Sequence, residues 1–163
     1  MNRKIMNAAV IFLITGMILF LLTGCEFSAV NKVVLADGVM DKIEYFEDIE
    51  TKDSAHGVNI YSASWEDRGN EYKRKELLKI PEGKDLYANI LFIESPKGMK
   101  YKVKWLEAGT VVKEDEKEMT TDQKGVLWFL IEGEKIKKGK HSLEIFYKDK
   151  KVSQLEFDVE AEK

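Results

Sequence analysis

The chain carries a single thiol, Cys25, and two imidazoles, His56 and His141. A thiol is a nucleophile and a soft metal ligand, and an imidazole is a general base or a metal ligand. Their number and spacing limit what they do together. One cysteine excludes a disulfide framework and a four-cysteine zinc site. His56 is followed by Gly57, and neither histidine opens a His-Glu-x-x-His helix, so the two read as a surface residue and a core-edge residue. No Gly-x-Ser-x-Gly elbow occurs, and Gly133 with Gly139-Lys140 has neither the spacing nor the Ser/Thr of a phosphate loop. Lys113-Glu114-Asp115-Glu116-Lys117-Glu118 interleaves lysines with its carboxylates and has no internal glycine, which suits a solvated loop between strands better than a calcium loop. Among 29 Asp and Glu, no spacing selects a pair for glycoside hydrolysis. The chain is expected to be non-catalytic, with no metal and no diffusible cofactor.

Two features suit binding instead. Tyr61 and Trp65 share one face of an alternating segment with Asn59 and Ala63, while Val58 and Ile60 share the other with Ser62 and Ser64. If the Val58/Ile60 face is buried, the rings form a platform for a sugar or an extended peptide, with Asn59 supplying a hydrogen bond. If the aromatic face is buried, the rings are core. The second feature is Lys73-Arg74-Lys75 beside Glu71 and Glu76, which suits either an anionic surface or a solvated face.

The remaining signal around Cys25 is its position. Sixteen of the first 24 residues are hydrophobic, Arg3 and Lys4 are their only charges, and the run ends Leu22-Thr23-Gly24-Cys25. A positive start followed by an apolar run is the pattern of a secretory signal. The ending resembles the lipobox of bacterial lipoproteins. That resemblance implies that a peptidase cuts before Cys25 and that its sulfur carries a diacylglyceryl group, a covalent lipid taking the place of a cofactor. Two acyl chains suffice for stable anchoring, and the positive flank leaves the remainder of the chain outside the cytoplasm. The expected location is the extracytoplasmic face of the cell membrane. Partners are then the membrane itself, through the lipid, and an envelope protein or cell-wall glycan.

The elements that would position these groups follow from composition and periodicity. The chain has 163 residues, and the part from Cys25 carries 24 basic and 29 acidic side chains. That mildly acidic balance speaks against nucleic acid. Leu86–Ile93 alternates on both faces, as expected of a mid-sheet strand. Tyr101, Val103 and Trp105 alternate with Lys100, Lys102 and Lys104, apolar inside and lysine outside. Val126–Ile131 reads as a strand buried on both faces. A four-residue turn, Lys148-Asp149-Lys150-Lys151, separates two final strands. Val33-Val34-Leu35 is expected to add a strand, Asp41–Asp53 a weak strand then a loop, and Glu71–Ile80 is either a helix or a strand.

Short strands separated by turns every 8–12 residues are the cue for a β-sandwich. The closing pattern of Gly139, His141, Leu143 and Ile145, then Phe157 and Val159, resembles bacterial immunoglobulin-like or fibronectin-like modules over residues 84–160, without that family's disulfide. The expected fold is all-β, an immunoglobulin-like β-sandwich of about seven to nine strands. Residues 1–24 are the signal peptide, 25–42 a lipidated tether with a first strand, and 43–160 the sandwich. The leading functional expectation is a lipid-anchored binding module. Two rivals are a carboxylate-dependent hydrolase or hydrolase accessory, and a structural subunit of an envelope complex.

Overall fold

The computed structural model describes residues 29–47, 49 and 80–161 in full, and the backbone of Asn59–Trp65 and Tyr72–Glu76. Ten strands lie among the described residues, more than the seven to nine expected, because the ambiguous stretch before Pro81 supplies two short ones. Sheet A has the order β3 (Tyr72–Glu76), β2 (Asn59–Trp65), β1 (Val30–Ala36), β5 (Leu86–Ile93) and β8 (Lys124–Ile131). Sheet B has the order β4 (Ile80–Pro81), β10 (Lys150–Glu160), β9 (Gly139–Tyr147), β6 (Lys100–Glu107) and β7 (Thr110–Glu118). Pairing is antiparallel except between β1 and β2 and between β10 and β4. The protein is a β-sandwich. Its first strand, β1, lies inside sheet A between β2 and β5.

Period-2 alternation builds the space between the sheets. Leu35, Ala88, Ile90, Phe92, Phe129 and Ile131 from sheet A meet Tyr101, Val103, Trp105, Leu143 and Ile145 from sheet B, all essentially without solvent exposure. Each large side chain so buried contributes roughly 1.5–3 kcal/mol. Trp105 stands edge-on to Phe157 at 6.3 Å, and its buried indole N–H has no hydrogen-bond partner in the structure. The Tyr101 hydroxyl lies 3.0 Å from Ser95 Oγ, and burial raises its pKa above the ordinary range.

Four local expectations are corrected. Lys113–Glu118 is not a loop but most of β7. One of its faces is acidic: Glu114, Glu116 and Glu118 pair across the ladder with Lys104, Lys102 and Lys100, and opposite charges directly across a pair are favourable. The intervening Lys113, Asp115 and Lys117 sit on the core-side register with Trp105, Val103 and Tyr101. Charged residues turned inward on an edge strand guard it against adding another strand. Val126–Ile131 is not buried on both faces, since β8 is an edge strand and only alternate residues are fully buried.

The Lys148–Lys151 turn is shorter than four residues, because Tyr147 pairs with Lys150. Its two loop residues, Lys148 and Asp149, have φ of 48° and 61°, as a type I′ hairpin turn requires. Finally, Asp41–Asp53 contributes a 3₁₀ turn at Ile43–Phe46 and no strand among its described residues. Met40, Phe46 and Ile49, six and three residues apart, are buried on the outer face of sheet A against Val34, Ala36 and Leu91. Two polar side chains strap this segment down. Asn89, fully buried, accepts from Met40 N at 2.8 Å and donates to Gly38 O at 3.1 Å. Lys32 Nζ donates to the carbonyls of Phe46 at 2.7 Å and Ile49 at 2.6 Å.

Candidate functional site

The outer face of sheet A is built from the positions of β1, β5 and β8 that the inter-sheet core does not use. The backbone ladders set them in rows. Leu130 pairs with Tyr87, Tyr87 with Ala36, and Ala36 with Tyr61. In the next row Trp128 pairs with Asn89, Asn89 with Val34, and Val34 with Asn59. Leu35 belongs to the inter-sheet core and pairs with Ile60. Asn59 and Tyr61 therefore hold register positions of the outer face, and Trp65, two alternations further on, pairs with Tyr72. Their side chains lie outside the described residues.

Beyond the strap of residues 38–49, the same face carries half-buried rings. Tyr87 and Trp128 have centroids 6.0 Å apart with planes tilted 59°. Lys117 reaches over the edge of β8 and places its ammonium 3.4 Å from the Trp128 ring centre. Burial there pulls the Lys117 pKa below the ordinary lysine range. Among the described side chains the arrangement is a pair of half-buried rings edged by a cation. It suits stacking on apolar faces of a ligand with polar rims, as rings contribute area and a cation holds an acceptor.

The other residues singled out in the sequence are scattered. Cys25 and His56 lie outside the described residues, and β3 contains Lys73, Arg74 and Lys75, whose side chains also lie outside them. His141 is 4% exposed, stacks on Phe157 at 5.6 Å, and its Nε2 lies 2.7 Å from Lys137 O. It is committed to the core edge. Among the described residues no three His, Cys, Asp or Glu converge as a metal site would require. Glu132 has its pKa lowered to about 2, chiefly by the hydrogen bond from Lys113 at 2.8 Å. A general acid needs the opposite displacement.

Tyr87, Trp128 and Lys117 were not singled out by the sequence. Reading β5 and β8 as buried on both faces hides any ring on the second face. The available signal was that sheet edges are exposed and that Trp128 is flanked by core residues Leu127 and Phe129 on the opposite parity.

No known protein-family model matches the chain, and no curated protein matches it in sequence. Solved structures do resemble it. An immunoglobulin-like protein from Pseudomonas aeruginosa is 17% identical with a TM-score of 0.39, over 64% of this chain and 93% of that one. A CARDB domain from Pyrococcus furiosus, solved in complex with di-metal ions, is 14% identical with a TM-score of 0.34, over 51% of this chain and 78% of that one. A β-glucosidase from Listeria innocua is 9% identical with a TM-score of 0.40 over 52% of this chain, which spans only 14% of that enzyme.

Proposed function

We propose that the chain is a lipid-anchored, extracytoplasmic, non-catalytic binding module whose contact surface is the outer face of sheet A, and that its ligand is a cell-wall glycan. The observation that carries the reading is the row in which Tyr61 follows Ala36 from Tyr87, beside the half-buried Trp128. Rings spaced along one face of a sheet offer stacking area to successive sugars, and Asn59 supplies a hydrogen bond at the next register position. Cys25 carries the diacylglyceryl group and confines the module to the membrane, which raises its effective concentration toward a wall that lies close by.

Two experiments test the two halves. Cys25→Ser should remove the lipid mass and release the protein from membranes; a wild-type chain whose mass still includes Met1 contradicts the anchor. For the site, Trp128→Ala should reduce retention on purified cell-wall glycan several-fold. Unchanged retention contradicts the face, and retention on an extended peptide but not on glycan contradicts the ligand.

A further inference from the structure

Ala29 O accepts from Ile93 N at 2.9 Å, so the chain enters β1 at one pole of the sandwich, beside the end of β5. The loops 94–99 and 119–123 and the Lys148-Asp149 turn lie at this same pole, because Lys100 pairs with Glu118, Tyr101 with Tyr147, and Lys124 with Ile93. The chain leaves at the opposite pole, where Glu160 pairs with Pro81.

At the entry pole a concavity of about 650 Å³ opens on sheet B. Lys97, Lys100, Lys102 and Lys148 surround a floor that includes Phe146 and Tyr147. Glu116 and Asp149 also line it, and Lys102 Nζ lies 3.7 Å from Asp149. The lining is thus four ammonium groups against two carboxylates. The Lys148 ammonium stands 5.2 Å from the Tyr147 ring centre, which keeps a cation beside an amphipathic ring.

We infer that this concavity receives the phosphate headgroups of anionic phospholipids in the membrane that anchors the chain, and so orients the sandwich with its entry pole down. The inference rests on the lipid anchor proposed above. Four residues separate Cys25 from Val30, and an extended residue spans at most about 3.5 Å. The Cys25 Cα therefore lies within about 18 Å of Val30, a tether short enough for the lysines to reach the field of an anionic surface. Amphipathic rings with a polar tip suit headgroup depth. With the entry pole down, the strands run away from the bilayer and the outer face of sheet A stands open to the wall.

The test uses the lipidated chain, whose Cys25 thiol is consumed, in vesicles of phosphatidylcholine with or without phosphatidylglycerol. One fluorophore is placed at Thr120→Cys on the entry pole and, in a second variant, at Lys138→Cys on the far pole, with the quencher on a lipid headgroup. Quenching at position 120 should rise with phosphatidylglycerol and quenching at 138 should not. Changing Lys97, Lys100 and Lys148 together to Gln should cut the phosphatidylglycerol-dependent part at least about fivefold, the equivalent of losing one lysine–surface interaction. High salt should do the same to the unaltered chain by screening, whatever the variant does to folding. Equal quenching at both poles, or a signal indifferent to phosphatidylglycerol and salt, overturns the inference. Suppression by millimolar free glycerol phosphate also overturns it, because the site is then one for soluble phosphate. A chain lacking the diacylglyceryl mass fails earlier, and that failure belongs to the anchor.

Discussion

The outer faces of the two sheets are made by opposite rules. On sheet B a row of charges runs across the strands: Glu114 lies 3.1 Å from Lys104, Lys104 pairs with Glu144, and Glu144 lies 2.9 Å from Lys151. These groups are solvated on at least one side, and such pairs contribute at most about 1 kcal/mol each. The corresponding positions of sheet A hold Val34, Ala36, Tyr87, Asn89, Leu91, Val126, Trp128 and Leu130. A face of that composition does not stay bare in water. Part of it is covered by the 38–49 strap, and the part left over is the ring strip. The contrast teaches that sheet B is finished by solvent, whereas sheet A needs a cover, supplied first by the chain and then, in our account, by a ligand.

The largest expected effect would break this contrast if it failed. Phe46→Ala should destabilise the fold by about 3–5 kcal/mol in a denaturant titration, as large as Trp105→Ala in the inter-sheet core, since both remove a fully buried ring. Lys104→Ala on sheet B should cost less than about 1 kcal/mol. If Phe46→Ala is as mild as Lys104→Ala, the strap is ornament and the outer face of sheet A is solvated like that of sheet B.

A smaller effect sharpens the role of the strap's polar fastening. Asn89→Ala leaves the Met40 N–H and the Gly38 carbonyl without their partner and should cost about 1–3 kcal/mol. Hydrogen exchange at Met40 should rise more than at Ile145, because the loss is local to the outer face.

How much of this was legible in the sequence depends on what each stretch alternates. Tyr101, Val103 and Trp105 against Lys100, Lys102 and Lys104 announce inside and outside directly, and the structure keeps that assignment. Strand β7 has no apolar alternation over Lys113–Glu118, and its acidic face of Glu114, Glu116 and Glu118 reads as a strand face only once the lysines of β6 are recognised as its partner. In the 40–49 segment the buried Met40, Phe46 and Ile49 lie six and three residues apart with Ile43 exposed between them, so no strand-like alternation is there to find. For the site, the residue types of Tyr61 and Trp65 stood out in the sequence, while the row that joins Tyr61 to Tyr87 and the neighbouring row that joins Asn59 to Trp128 depend on the parallel β1–β2 pairing, which no local pattern encodes.

The smallest expected effect concerns the seam between β7 and β8. The Glu132 carboxyl is held at about 2, below an ordinary 4.5, first by the Lys113 hydrogen bond. Its contribution to stability is therefore complete above about pH 4.5 and is lost as pH falls through 2. The Glu132 side chain is 41% exposed, so screening keeps that contribution below about 1 kcal/mol. Glu132→Gln should flatten this part of the acid limb in a pH series of denaturant midpoints and leave neutral stability lower by the same small amount.

Glycan binding by the outer face of sheet A rather than sheet B is tested most directly by a paired comparison. Retention on purified cell-wall glycan is measured for Tyr61→Ala with Trp65→Ala, and for Lys104→Ala with Glu144→Ala, each beside its own denaturant midpoint. The first pair should lose retention with a midpoint near that of the unaltered chain, and the second pair should lose neither. If the first pair unfolds the protein, those rings are core; if the second pair is the one that abolishes retention, the binding face is sheet B.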